Sequence, residues 1–299
     1  MVVRLAHFSD VHLTSKPLGW RPRDWFSKRA TGWVNVRLLG RGRRFKQAPT
    51  VVAAMMRAIR ERKPDALVFS GDATGMGFES EFLVAAKALG VGDESLPPAV
   101  AVPGNHDYYT RRAVRGGLFE AYFGPWQVGL RVDDQPYPFA RRVGDVWLVC
   151  ANSSTVNRWN WDASGAIGPD QLRRLRLLCA LLNPGVRVLV THYPVRTARG
   201  LVEPRVHRLR DHTAALEAAS ECGIHLWLHG HIHRGFVLKP SGAIPFPVIC
   251  VGSSTQNNRW GYNEYVISGM ALEGVHRVYD PDHGHFKDAG WFQLDLPSG

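Results

Sequence analysis

Thiols are scarce in this chain. Its 299 residues include four cysteines, Cys150, Cys179, Cys222 and Cys250, and no two form a C-x-x-C pair. Neither a disulfide framework nor a thiolate-built zinc or iron–sulfur site is expected. Single cysteines in apolar runs read as buried thiols, which fits a reducing, cytoplasmic compartment. Long apolar runs are missing too, since no stretch approaches the ~18 consecutive apolar residues of a membrane span. No internal repeat or low-complexity tract is present. A removable leader is not expected, because Asp10, already a site candidate, follows the first strand-like run directly. Acidic residues are few, 26 against 37 Lys and Arg, for a formal net charge of +11. The deficit is local. Residues 16–47 hold ten basic side chains against Asp24 alone, so nine of the eleven net charges fall there.

What the chain does have is five short segments that each carry metal-ligand residues. They read Asp10-Val11-His12, Gly71-Asp72, Gly104-Asn105-His106-Asp107, His192, and Gly230-His231-Ile232-His233. Nearly every one follows a short β-branched or apolar run: Val2 to Phe8, Ala66 to Phe69, Ala99 to Val102, Val186 to Val190, Ile224 to Leu228. Such runs read as buried strands, and open α/β sheets place their sites where strands end. Two Asp, one Asn and four His gathered on one rim make a two-metal site. Carboxylate, amide carbonyl and imidazole together suit Mn, Fe, Zn or Co. Alternate residues of Asp-x-His and His-x-His face the same way in an extended segment, so each pair can reach one ion. One carboxylate, most simply Asp72, has to bridge the ions at the ~3.5–4 Å of two-metal hydrolysis. Asn105 contributes a neutral carbonyl, which leaves the centre net positive and attractive to phosphate.

The order of these blocks resembles the calcineurin-like metallophosphoesterase superfamily, over residues from about 3 to about 260. That resemblance implies that Asp10, His12, Asp72 and His233 hold one metal, and that Asp72, Asn105, His192 and His231 hold the second. It gives His106 a catalytic role, contacting the phosphate and protonating the leaving oxygen. It implies two Mn, Fe or Zn ions and a four-layer αββα sandwich of two mixed sheets flanked by helices. Each block alone has a plainer meaning: Gly-Asp and Gly-Asn-His-Asp occur as turns, a lone His192 as a structural histidine, His-x-His as a surface pair. All five in this order, each after a strand-like run, are not explained that way. His7, His207, His212, His225, His229, His276, His283 and His285 follow no such pattern, and His229 is at most a supporting neighbour of the last block.

Periodicity places helices at 46–62 and 78–90, another from Pro169 with Leu172, Leu175, Leu178 and Leu182 on one face, and a last one at 209–222. Arg173, Arg174 and Arg176 fall off the leucine stripe and read as a solvated face. Late strands are expected at Phe236 to Leu238, Val248 to Val251, Tyr262 to Ile267 and Val275 to Tyr279. The whole, 1–299, reads as one domain with a basic, aromatic insert at about 16–47.

That insert interleaves its ten basic residues with Trp20, Trp25, Phe26, Trp33, Val34, Val36, Leu38 and Leu39. Because it follows the first ligand block, it is expected to hang over the site. Three readings stand: packing onto the domain, contact with nucleic acid, and a cap engaging an anionic membrane surface or a lipid-bearing substrate. The third is favoured slightly over the second, so nucleic acid is the weaker partner, and packing onto the domain stands beside them. The expected activity is dinuclear-metal hydrolysis of a phosphate ester or pyrophosphate bond, a bridging hydroxide attacking phosphorus. Alternatives are a UDP-2,3-diacylglucosamine pyrophosphatase-like hydrolase at the inner membrane face, a class III cyclic nucleotide phosphodiesterase-like enzyme, a nuclease, and a non-catalytic scaffold. One branch of the first kind carries Arg where this chain has His106. Arg196, Arg199, Arg205, Arg208 and Arg210 are candidates for a second phosphate or polar head group, Arg196, Arg199 and Arg208 above all.

Overall fold

The strand-like runs that lead into the five blocks are largely buried, and the reason is a pair of sheets stacked face to face. The computed structural model describes residues 1–38, 40–157, 159, 161–242 and 244–298, and the insert's Leu39 lies outside them. The strands are β1 (Val2–Phe8), β2 (Ala66–Phe69), β3 (Ala99–Ala101), β4 (Phe139–Val143), β5 (Val146–Cys150), β6 (Val186–Val190), β7 (Leu226–His229), β8 (Phe236–Leu238), β9 (Val248–Cys250), β10 (Gly261–Ser268), β11 (Ala271–Asp280) and β12 (His285–Asp295). One six-stranded sheet runs β12-β11-β10-β1-β2-β3 and the other β4-β5-β6-β7-β9-β8. Within them β1-β2-β3 and β5-β6-β7-β9 are parallel.

Side-chain alternation sorts each strand between two cores. Leu5, Val68, Val188 and Leu228 point into the layer between the sheets. Their neighbours Phe8, Leu67 and Phe69 face a second cluster with α2 (Ala48–Arg62), α3 (Glu79–Leu89) and α5 (Leu118–Phe123). Leu189 and Trp227 face a third with α6 (Pro169–Ala180) and α7 (His212–Glu221). With both faces covered, the period of two is masked as continuous apolar sequence. The result is the expected αββα layering. The leucine stripe of α6 is buried, while Arg173 on its back is exposed.

Several elements were not anticipated. The β4–β5 hairpin turns at Gly144 (φ +56°), and the Arg141-Arg142 pair interrupts the apolar signal of its edge strand. The outer strand β12 carries Lys287, Asp288 and Gly290, too polar for a strand motif. A short helix, α4 (Arg111–Arg115), precedes α5.

The insert folds as a 3-10 turn over Pro22–Phe26, helix α1 (Lys28–Arg37), and a second 3-10 turn over Arg41–Phe45. Ser27 caps α1 by accepting from the Arg29 backbone N–H. Arg29 is buried: it pairs with Asp24 at 2.8 Å, donates to the carbonyls of Met76 and Gly77, and lies 4.0 Å over the Phe78 ring. Trp20 and Trp33 pack on Met76, Phe78 and Tyr109. Trp25, Phe26 and Leu38 remain exposed. No described helix is long and apolar enough to cross a membrane, and all four cysteines are buried free thiols.

Candidate metal centre

The parallel strands of both sheets end on the same rim, and the five blocks are the turns just beyond them. Asp10 and His12 follow β1, Asp72 follows β2, Asn105 and His106 follow β3, His192 follows β6, and His231 and His233 follow β7. Seven described non-glycine residues have positive φ, and five are Asp10, His12, Asp72, His231 and His233, between 42° and 68°. Left-handed backbone costs a non-glycine residue on the order of 1–2 kcal/mol. Here it is held by hydrogen bonds across the rim. The Asp10 N–H donates to the Gly71 carbonyl at 2.9 Å, the His12 N–H to that of Asp72 at 3.0 Å, and the His231 N–H to Asp10 Oδ2 at 3.0 Å. The glycines of the blocks are close-approach positions as well. A Cβ on Gly104 would lie 2.0 Å from Asp72 Oδ1, and one on Gly230 would lie 2.0 Å from Ser9 Oγ.

Donor atoms converge in two overlapping groups. Those of Asp10, His12, Asp72 and His233 all lie within 4.8 Å of one another. His233 Nε2 is 3.1 Å from Asp10 Oδ1 and 3.1 Å from His12 Nε2. On the other side Asn105 Oδ1 is 3.2 Å from His192 Nε2 and 3.0 Å from His231 Nδ1. Asp72 Oδ2 stands between the groups, 3.6 Å from His12 Nε2 and 3.5 Å from His192 Nε2.

Whether these residues fit metal ions is decided by the other ring nitrogens. His12 Nδ1 donates to the Thr74 carbonyl, His192 Nδ1 to that of Ser70, His231 Nε2 to that of His207, and His233 Nδ1 to Gln256 Oε1. Carbonyl oxygens only accept, so each inward nitrogen of a neutral ring carries a lone pair. Two lone pairs then face each other between His12 and His233, beside Asp10 Oδ1, a buried oxygen without a hydrogen-bond partner. A cation satisfies that arrangement, in the place a proton between His233 Nε2 and Asp10 Oδ1 takes without one.

The electrostatics show a site that calls for positive charge, which protons on the rings supply when no metal ion does. Burial pushes the Asp10 carboxyl up, but His233, His192 and Ser9 hold it at about 2. Burial pulls His192 down, yet Asp72, Asp10 and the Ser70 carbonyl raise it to about 9. His231 is driven well below its usual value by burial and then by its neighbour His192.

His106 stands at the edge of the first group, its ring 4.9 Å from that of His12. Its backbone N–H donates to Asp72 Oδ1 at 2.7 Å and its Nδ1 to the Gly75 carbonyl at 2.7 Å. Tyr109 stacks on it at 5.3 Å. The insert does reach the site: the Phe45 ring lies 4.6 Å from His12, and Lys28 Nζ sits 5.1 Å from the Tyr109 ring.

Arg196, Arg199 and Arg208 belong to the loop that covers His231. Arg196 donates to the Val195 carbonyl and contacts His212 Nδ1, Arg199 is exposed, and Arg208 Nε is buried without a partner. Arg210 is braced by Asn157 and Ser164. His229 is buried behind Gly230, with Nδ1 2.9 Å from its carbonyl oxygen.

Sequence reasoning missed the residues that hold the candidate ligands in place. Asp107 accepts from the N–H groups of Ala73, Thr74 and Gly104. Ser153 accepts from those of His192 and Tyr193. Ser253 Oγ donates to the Asp10 carbonyl, and Thr255 Oγ1 to that of Val11. Ser153 and Ser253 also follow parallel strands, β5 and β9, and that placement was the signal available.

The fold matches solved structures at low identity. A dimetal phosphatase from Danio rerio superposes with a TM-score of 0.67 at 13% identity over 99% of both chains. A purple acid phosphatase from yellow lupin (Lupinus luteus) seeds gives 0.60 at 13%, over 99% of this chain and 54% of that one. The Plasmodium protein described as the anchor in the inner membrane complex gives 0.61 at 10%, over 99% and 90%. No curated protein matches in sequence. The sequence model described as "Calcineurin-like phosphoesterase" matches residues 3–235, from β1 through the last ligand block. A match over most of the chain, on a rim that gathers all five blocks, places this chain in the calcineurin-like phosphoesterase family.

Proposed function

We propose that the chain is a dinuclear-metal phosphoric ester hydrolase in which Asp10, His12, Asp72 and His233 hold one ion and Asp72, Asn105, His192 and His231 the other. One observation carries this reading: the Asp72 carboxylate stands between two imidazole groups whose inward nitrogens are 3.6 and 3.5 Å from the same oxygen. Mn, Fe or Zn suits the nitrogen and oxygen donors. When bound, the ions supply Lewis acidity toward phosphoryl oxygens and lower the pKa of water. The chain supplies the rest. Carbonyl partners fix each ring, the neutral Asn105 keeps the centre positive, and His106, in the form protonated on both nitrogens, donates through Nε2 to the leaving oxygen. Buried thiols support a reducing, cytoplasmic setting. The test is a screen of the metal-reconstituted protein against p-nitrophenyl phosphate, bis-p-nitrophenyl phosphate, cyclic nucleotides and nucleotide-sugar lipids. No turnover with any metal sinks the reading.

A second reading concerns where the substrate lies. Phe26 is 95% exposed, and Trp25 and Leu38 are exposed on the same basic insert. Trp159 and Trp161, stacked at 5.0 Å, are exposed too, and Lys28 Nζ donates to the nearby Asp162 carbonyl. Aromatics among cations favour a cap that engages an anionic lipid surface or a lipid-bearing phosphate.

A further inference from the structure

Beside the candidate centre lies a groove of about 920 Å³ between the insert and α4. Arg21, Arg23, Lys28, Arg111, Arg112 and Arg115 all line it. The acid in its wall, Asp24, is committed to Arg29 at 2.8 Å and to the Arg21 backbone N–H at 2.9 Å. Among the described residues no carboxylate pairs with Arg23, Arg111, Arg112 or Arg115, all four exposed. Packing does not explain this set. The insert is pinned by Arg29, Trp20 and Trp33, and α4 buries only Ala113. Arginines on a solvated helix face would spread outward. Here two segments far apart in sequence aim like charges into one concavity, which concentrates positive potential.

The groove is also connected to the chemistry. Tyr109 lines it, and the same ring stacks on His106 at 5.3 Å, with planes 20° apart. A substrate with its phosphorus at the two ligand groups and its leaving oxygen at His106 extends past Tyr109 into the groove. We propose that this groove is the leaving-group subsite, and that the preferred substrate carries a second anionic group, a phosphate or carboxylate, on that side. The proposal rests on the role given to His106 above. Guanidinium pairs bind such oxygens bidentately, so the second anion gains affinity beyond simple charge attraction.

The experiment compares alkyl monophosphates with α,ω-alkanediol bisphosphates of two to ten carbons. Both series are measured as inhibitors of bis-p-nitrophenyl phosphate hydrolysis by the Mn-loaded full chain and by calorimetric titration. Some bisphosphate of the series is expected to bind at least tenfold tighter than its monophosphate. Arg111→Gln/Arg115→Gln should bring that ratio within about twofold, while Arg173→Gln on α6 leaves it unchanged. Should the double variant not fold, Arg23→Gln on the opposite wall should lower the ratio severalfold. Dodecyl monophosphate separates the sources. Tighter binding from the chain alone, with no gain from a second phosphate, overturns the proposal, as does a ratio near one throughout or one insensitive to the arginines. If hydrolysis fails with every metal, the functional reading falls, and the calorimetric ratio decides the groove by itself.

Discussion

A single carboxylate distinguishes a two-ion centre from two unrelated ion sites. Asp72 Oδ2 lies between His12 and His192, and Asp72 Oδ1 accepts from the His106 backbone. Asp72→Ala should therefore lose both ions, and elemental analysis showing a fully loaded variant excludes a shared ligand. His106 is different, since its ring bonds the Gly75 carbonyl and lies beside the ligand groups. His106→Ala should keep two ions per chain yet lose on the order of 10²-fold or more in kcat. Loss of metal along with activity makes it a ligand instead. These residues were legible because each ends an apolar run and sits in a block of chemistry-bearing types. Ser153, Ser253 and Gln256 were not, because an isolated serine or glutamine has no spacing that sets it apart. The left-handed backbone of five block residues could not be read from sequence either, since that strain exists only once the turns of both sheets meet on one rim.

Elements were read best where burial on both faces made the sequence continuous. Strands β1, β2 and β6 have the expected bounds, as does the half-buried edge strand β8, whose residues are all apolar, while the edge strands β4 and β12 carry the charges that edges tolerate. The insert defeated periodicity because its contacts are not one helical face: Arg29, the residue it buries most usefully, is charged. Arg29→Ala leaves Asp24 buried without its partner, a loss typically worth about 3–5 kcal/mol. Because the loss falls on one segment, limited proteolysis should cut within 16–47 severalfold faster, and an unchanged pattern means the tryptophans alone hold it. A second test concerns how the first sheet is joined. His7 on β1 bonds the hydroxyl of Tyr265 on β10 and of Ser70 after β2. Burial first, then nearby His229, against a weaker pull from Asp10, lower it to about 3. Below about pH 6.5 the unfolded chain binds a proton that the folded chain refuses until about pH 3. Stability from this group is thus full above 6.5 and falls with pH across that window, by up to about 1.4 kcal/mol per unit. Denaturant titrations of His7→Asn should show a shallower acid slope by that amount, and parallel slopes refute the assignment.

At the scale of the molecule, charge and exposed aromatics coincide on one region. Nine of eleven net charges belong to residues 16–47, and α4 adds Arg111, Arg112 and Arg115 across the groove. Trp25 and Phe26 are exposed at the end of the insert's first 3-10 turn, with Leu38 exposed at the end of α1. Each basic residue near an anionic surface contributes about 1 kcal/mol, and burying one large apolar side chain about 1.5–3 kcal/mol. A few of each suffice for vesicle binding that salt weakens. The protein should therefore sediment with anionic vesicles at low ionic strength, release as salt rises, and remain in solution with neutral ones. Arg43→Gln, Arg44→Gln and Lys46→Gln together should shift the salt midpoint down, whereas Trp25→Ser with Phe26→Ser should weaken binding at every salt concentration. Those two responses separate attraction from insertion. If the wild-type protein stays in the supernatant with both vesicle types, the exposed aromatics serve a soluble substrate, and the basic groove is then its binding site rather than a lipid's.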